Sequence, residues 1–186
     1  MRRGGILAGR YAKALFRVGR ERNILDRLHA DMSAFARALN ENQGFTYFFN
    51  SPEVTRQEKK AKIKELFGDS VSEVFFHFVM VVLDKGRQTL FPEIAAAFNG
   101  EMDVYNNRVK ALVTASVALT PEMKNEIRAQ LAKQLNKEVV LIPEVDESLL
   151  GGIKITIDGK VIDGSIKGKL HKMRRFLLEQ SAAALN

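Results

Sequence analysis

From Tyr11 onward, apolar residues recur every three or four positions: Tyr11, Ala14, Leu15 and Val18, then Leu25, Leu28, Met32, Phe35 and Leu39. This spacing predicts two amphipathic helices, each presenting one face to a core. The aromatic segment GFTYFFNSP sets Phe45, Phe48 and Phe49 to one side before Pro52 interrupts it. Thr55 with Glu58 reads as a capping box that opens a helix carrying Ile63, Leu66 and Phe67 on one face. Ser70 with Glu73 repeats the signal, and Gly86 ends the helix it opens. Phe91, Ala95, Phe98, Met102 and Tyr105 then give one more long helix.

The segment Val71 to Leu83 stands apart, because ten of its thirteen residues are Val, Phe, Met or Leu. A one-sided helix cannot hide that much apolar surface. Two readings are open: a central helix surrounded by its neighbours, or a helix whose second face lines a groove for a partner helix anchored at i, i+3 and i+4.

Near residue 108 the period changes from 3.6 to 2. Val109, Ala111, Val113, Ala115 and Val117 alternate with their neighbours, which predicts a half-buried strand. Thr120 then caps a helix with Pro121 at its first position, and Ile127, Leu131 and Leu135 form its buried face as far as Asn136. VVLIP reads as a short strand ended by Pro143. Ile153, Ile155 and Ile157 alternate along another strand, and Asp158-Gly159 is the preferred pair for a type I′ hairpin turn. In the returning strand Ile162 faces Ile155. Asp163 or Ser165 then caps a last helix with a stripe of Ile166, Leu170, Met173 and Leu177. The expected fold is mainly α with a smaller α+β part. An N-terminal six-helix bundle (1–107) precedes a C-terminal strand-helix-strand and β-hairpin domain ending in a helix (108–186).

Composition narrows the chemistry. A chain of 186 residues, 46% hydrophobic, is long enough to bury a real core. It has no cysteine, which removes disulfides, thiolate metal sites and a cysteine nucleophile. His29, His77 and His171 lie in different predicted elements without metal-ligand spacing. The stretch DGKVIDGSIKGKL fails as a phosphate loop. Gly164 and Gly168 stand one residue too close, Leu170 follows Lys169 where a hydroxyl is needed, and Ser165 follows Gly164 where a lysine is needed. No catalytic constellation, cofactor motif or metal set emerges. The basic N-terminus lacks the apolar stretch of a secretion signal, and FFHFVMVVL is about half the length of a membrane span. The net charge of +7 is most concentrated on the last helix, at Lys167, Lys169, Lys172, Arg174 and Arg175. That cationic face reads as solvated or as a dock for an acidic partner. Binding of nucleic acid is the rival reading, without a helix-turn-helix, RRM or zinc motif to support it.

The order of the pieces adds something no single piece carries. RYAKALF at the start, LDKGR in the middle, ALTPEM at the entry to the second part and VDESLLGGIKITIDGKVIDGSIKGKL near the end together resemble the delta subunit of F-type ATP synthases, the family of the oligomycin sensitivity-conferring protein. The resemblance covers nearly the whole chain and is most specific from Asp146 to Leu170. It implies a non-catalytic stator subunit, one copy per complex, without cofactor and without nucleic acid. Its helical domain would bind the N-terminal helix of an alpha subunit, and its C-terminal domain the ends of the peripheral-stalk b subunits. The short N-terminus resembles bacterial forms, with no room for an organellar transit peptide. This implies a peripheral protein at the cytoplasmic face of the plasma membrane, held there through the complex. Matching the family's motifs position by position gives Tyr11 and Val81 as groove-lining residues. Helical spacing extends the set to Ala14, Leu15, Phe78 and Val82. For the b-subunit contact the resemblance gives the last helix, with Leu170, Met173, Arg174 and Leu177.

Overall fold

The computed structural model describes residues 3–183, and side chains for residues 4–175. The fold is mainly α with a small α+β part, as expected. The chain separates into two compact units, the first ending at Tyr105 and the second beginning at Asn106.

The first unit contains α1 (Arg3–Glu21), α2 (Leu25–Glu41), α3 (Gln43–Asn50), α4 (Arg56–Phe67), α5 (Glu73–Asp84) and α6 (Phe91–Tyr105). Its core is organised around Phe35 of α2, which is wholly buried. Ring centroids lie 5.7 Å away at Phe45, 5.5 Å at Phe49, 5.0 Å at Phe67, 5.9 Å at Phe75 and 4.8 Å at Phe91. One side chain thus gathers residues of α3, α4, α5 and α6, with each edge-on or tilted pair adding about 0.5–1.5 kcal/mol beyond burial. Leu66, expected on the inner face of α4, is exposed instead.

Helix ends follow local chemistry where that chemistry is self-contained. The Thr55 side chain accepts from the Glu58 N–H, and Glu58 accepts in return from the Thr55 N–H. At the end of α5, Gly86 adopts φ +62°. Its N–H bonds the Leu83 carbonyl and that of Arg87 bonds the Val82 carbonyl, the paired closure that a left-handed glycine allows.

The start of α5 differs from expectation. Ser72, not Ser70, is its N-cap, with the Ser72 side chain accepting from the Phe75 N–H. Ser70 instead turns its hydroxyl back to the Phe67 carbonyl. The choice is made from a distance: buried Asp31 of α2 accepts from the Ser72 N–H at 2.8 Å and from its hydroxyl at 2.6 Å. Arg27 Nε closes the network on Asp31 at 3.0 Å.

The second unit carries β1 (Arg108–Ala115), α7 (Pro121–Leu135), β2 (Glu138–Val145), β3 (Ile153–Ile157), β4 (Lys160–Asp163) and α8 (Ile166–Ala183). The sheet order is β2-β1-β3-β4, with β1 and β2 parallel through the α7 crossover and the other pairs antiparallel. Val109, Ala111 and Val113 are buried, whereas Val117 lies past the strand and is exposed. Thr120 caps α7 with Pro121 behind it, and Asn136 closes that helix in the left-handed conformation. Leu131 is its buried contact, while Leu135 is exposed. Asp158 and Gly159 both have positive φ, and Ile155 pairs with Ile162, as the I′ hairpin requires. Pro143 does not end β2. It pairs in register with Val113, and the strand runs on to Val145, because β2 is an edge where a missing N–H is tolerated.

The cap of α8 uses both residues proposed for it. The Ser165 hydroxyl accepts from the Gly168 N–H at 3.0 Å, while Asp163 Oδ1 accepts from the Ser165 N–H and hydroxyl at 2.9 and 2.7 Å. These bonds, with Lys172 and Lys154 nearby, hold the Asp163 carboxyl below the usual aspartate range. A side chain at Gly168 would collide with that carboxylate. Gly152, at φ +75°, leaves only 2.6 Å between a would-be Cβ and the Gly164 carbonyl, so the glycine there is a matter of both conformation and space.

Two outcomes are expected. Asp31→Ala leaves the Ser72 donors without their acceptor and lowers stability by about 2 kcal/mol, more than the roughly 1 kcal/mol for the cap lost in Ser72→Ala. Urea unfolding of both variants checks the order. Because the folded Asp163 pKa is lowered, its contribution is complete above the ordinary value of about 3.9 and disappears as pH falls through the folded value. The melting-temperature gap between wild type and Asp163→Ala is therefore expected at pH 7 and should shrink at pH 3. An equal gap at both would contradict the cap.

Candidate functional site

The core fixes the rotation of α5. Phe75, Val79, Val82 and Leu83 face inward and are buried, so Val74, Phe78 and Val81 come to the other side at i, i+4 and i+7. On α1, Tyr11, Ala14, Leu15 and Val18 form a matching stripe. The two stripes and His77 line one groove of about 320 Å³. Its walls are almost wholly apolar, with the Tyr11 hydroxyl and the His77 ring as the polar exceptions. Tyr11 meets Phe78 edge to face, with ring centroids 6.3 Å apart. Val81 is 47% exposed at the mouth. The surplus apolar surface of the Val71–Leu83 segment is therefore divided: Val74, Phe78 and the other outward residues are half-buried against the core, and Val81 stands open at the groove mouth.

Of the residues expected to line the groove, Tyr11, Ala14, Leu15, Phe78 and Val81 do. Val82 does not, being wholly buried in the core. It stands one residue past Val81, and a step of about 100° along a helix turns it out of the groove onto the core-facing side with Phe75 and Val79. Val18, Val74 and His77 also line the groove but were not in the expected set. Extending the same three-and-four spacing by one turn on each helix finds them. His77 is exposed and lies 3.6 Å from Glu73 on the preceding turn.

The second expected region is more open than a stripe of core residues would be. Ile166, Leu170 and Met173 are 47%, 54% and 63% exposed, so α8 keeps an uncovered apolar line beside Lys167, Lys169, Lys172, Arg174 and Arg175. The helix meets its own unit chiefly at the 3-10 turn Glu147–Leu149. There the Ile166 N–H bonds the Gly151 carbonyl, and Lys167 Nζ bonds Ser148 Oγ. The Leu177 side chain lies outside those described. Among the described residues no group of three or more acidic or histidine side chains is arranged to hold a metal, and no helix is long and apolar enough to cross a membrane.

Residues 7–177 match the family model for the ATP synthase delta (OSCP) subunit. Proteins described as ATP synthase subunit delta are similar over nearly their whole length. That of Geotalea uraniireducens is 33% identical over 92% of this chain and 96% of its own. That of Desulforamulus reducens is 33% identical over 96% and 98%, and that of Bacillus cereus 32% over 94% and 97%. Among solved structures, a chain of the Toxoplasma gondii mitochondrial ATP synthase hexamer superposes with a TM-score of 0.75 at 22% identity, covering 92% of this chain and 97% of that one. At that identity the likeness is one of fold. With the family model spanning almost the full sequence and relatives matching end to end, the chain belongs to the ATP synthase delta (OSCP) subunit family.

Proposed function

We propose that this protein, a non-catalytic subunit by its family, is the stator connector of an F-type ATP synthase. The α1–α5 groove receives the N-terminal helix of an alpha subunit. The exposed line of α8, through Leu170, Met173 and Arg174, receives the ends of the peripheral-stalk b subunits, with Leu177 the further residue that the family resemblance gives. The catalytic head is thereby held against the torque of the rotor, at the membrane's cytoplasmic face and without the chain itself entering the bilayer.

The observation carrying this reading is the groove itself: two turns of apolar residues on each of two neighbouring helices meet in an almost wholly apolar cleft, with Val81 exposed at its mouth. Monomeric surfaces seldom leave such lines uncovered unless something docks there. An amphipathic helix fits the i, i+4, i+7 order of Val74, Phe78 and Val81. A connector under load needs slow dissociation and no chemistry. Two separate contacts provide that, because release of one leaves the other holding its partner at high effective concentration.

Titrating the full chain with a synthetic peptide of the alpha-subunit N-terminal helix from the same organism tests the assignment. Saturable binding is expected. Val81→Asp buries an unpaired carboxylate under the docked helix and weakens it at least about 30-fold, or about 2 kcal/mol. Val81 is exposed in the free protein, so its melting temperature should hardly move. No saturable binding, or binding indifferent to Val81→Asp, removes the groove from the proposal.

A further inference from the structure

We infer that Arg10 and Lys85 read the charge of the helix entering the groove and make it lie in one direction, with its carboxylates at their end. The inference rests on the groove being a helix site, as proposed above.

The direction of the groove is set by its surroundings. A Cβ on Gly4, in the first turn of α1, would lie 3.4 Å from Leu90, which comes after the end of α5. Gly19, in the last turn of α1, packs so closely on Leu25 and Leu28 that a Cβ would meet them at 2.8 and 2.7 Å. The neighbouring Arg27 donates from Nη2 to the Ser70 carbonyl, just ahead of α5. The start of α1 thus lies by the end of α5, and the two helices run antiparallel. Arg10, one turn before Ala14, and Lys85, one turn after Val81, therefore flank the same end. The Lys85 backbone is still right-handed helical, so it continues the Val74, Phe78 and Val81 line.

Most charges around the groove are already answered within the protein. Arg17 holds Glu21 at 2.9 Å, Lys13 holds Glu101 at 3.8 Å, and Lys60 holds Asp84 at 2.5 Å. His77 faces Glu73, and Arg56 donates to the Asp84 carbonyl at 3.1 Å. Arg10 and Lys85 are exposed and have no partner among the described residues. The opposite end carries both signs, with Arg22 just past α1 and Asp69 and Glu73 at the start of α5. The apolar walls do not distinguish one direction of a symmetric stripe from the other, but an end with two unanswered cations does. The occupant this fits is an amphipathic helix with acidic residues at one terminal turn.

The test compares wild type, Val81→Asp and the double variant Arg10→Glu/Lys85→Glu, as full chains, in binding the same alpha-subunit peptide and a version with the carboxylates of its terminal turn changed to amides. Circular dichroism and melting should match wild type for the double variant, since both residues are exposed. The expected result is an affinity about tenfold lower for the double variant at low salt, a wild-type affinity that falls with salt, and a variant affinity that does not. The amide peptide should bind wild type about tenfold more weakly than the native one, and the double variant no more weakly than the native one does. If Val81→Asp abolishes binding but charge reversal, salt and the loss of the peptide's carboxylates leave it unchanged, the direction reading is overturned and the groove assignment stands. If wild type binds neither peptide, both are overturned.

Discussion

The first unit depends on one buried ring. Phe35 sits where α2 faces four other helices, and its contacts to Phe67, Phe75 and Phe91 leave those helices little freedom to rotate. For α5 this has a direct result. Phe75 and Val79 are drawn inward, so Val74, Phe78 and Val81 are carried outward beside α1. The groove is thus less a feature added to the surface than the remainder left when a helix too apolar for one interface satisfies its core. A close-packed interior transmits position, which places the outer face as firmly as the inner one.

Much of this was legible in the sequence wherever the determining chemistry is local. Thr55 with Glu58, Thr120 with Pro121, and Asp158-Gly159 each specify a cap or turn within a few residues, and each forms as read. The misreadings share a different cause. Ser72 caps α5 in place of Ser70 because Asp31, forty-one positions away, supplies the acceptor. Pro143 stays inside β2 because the strand is an edge, a property of the sheet and not of the pentapeptide. Val82 seemed a groove residue because spacing gives the period of a helix, while only packing gives its phase. His77 was passed over as a solitary histidine, although it stands one turn before Val81 on the very line that spacing had marked.

The glycine-rich stretch from Asp158 to Leu170 looks at first like a phosphate loop and turns out to be joinery. Gly159 reverses the hairpin and Gly168 leaves room for the Asp163 carboxylate, while Gly152, ahead of the stretch, lets the chain pass under its Gly164. These close approaches concentrate the attachment of α8 in its first turn, with the Ile166 N–H on the Gly151 carbonyl and Lys167 on Ser148. Beyond that turn, Leu170 and Met173 stay uncovered with the cations around them. The sequence showed the stripe; it did not show that the unit itself would leave that stripe bare.

Pro143 has a further effect in the edge strand that contains it. An exposed strand edge is a template on which another chain can add a strand, and β2 carries Ile142 and Val145 largely exposed. A proline interrupts the row of donors such an addition would use, and the charged Glu144 beside it discourages a flat apolar approach. That edge of the sheet is thereby made poor at recruiting copies of itself, a safeguard against aggregation in a chain that exposes so much apolar surface elsewhere.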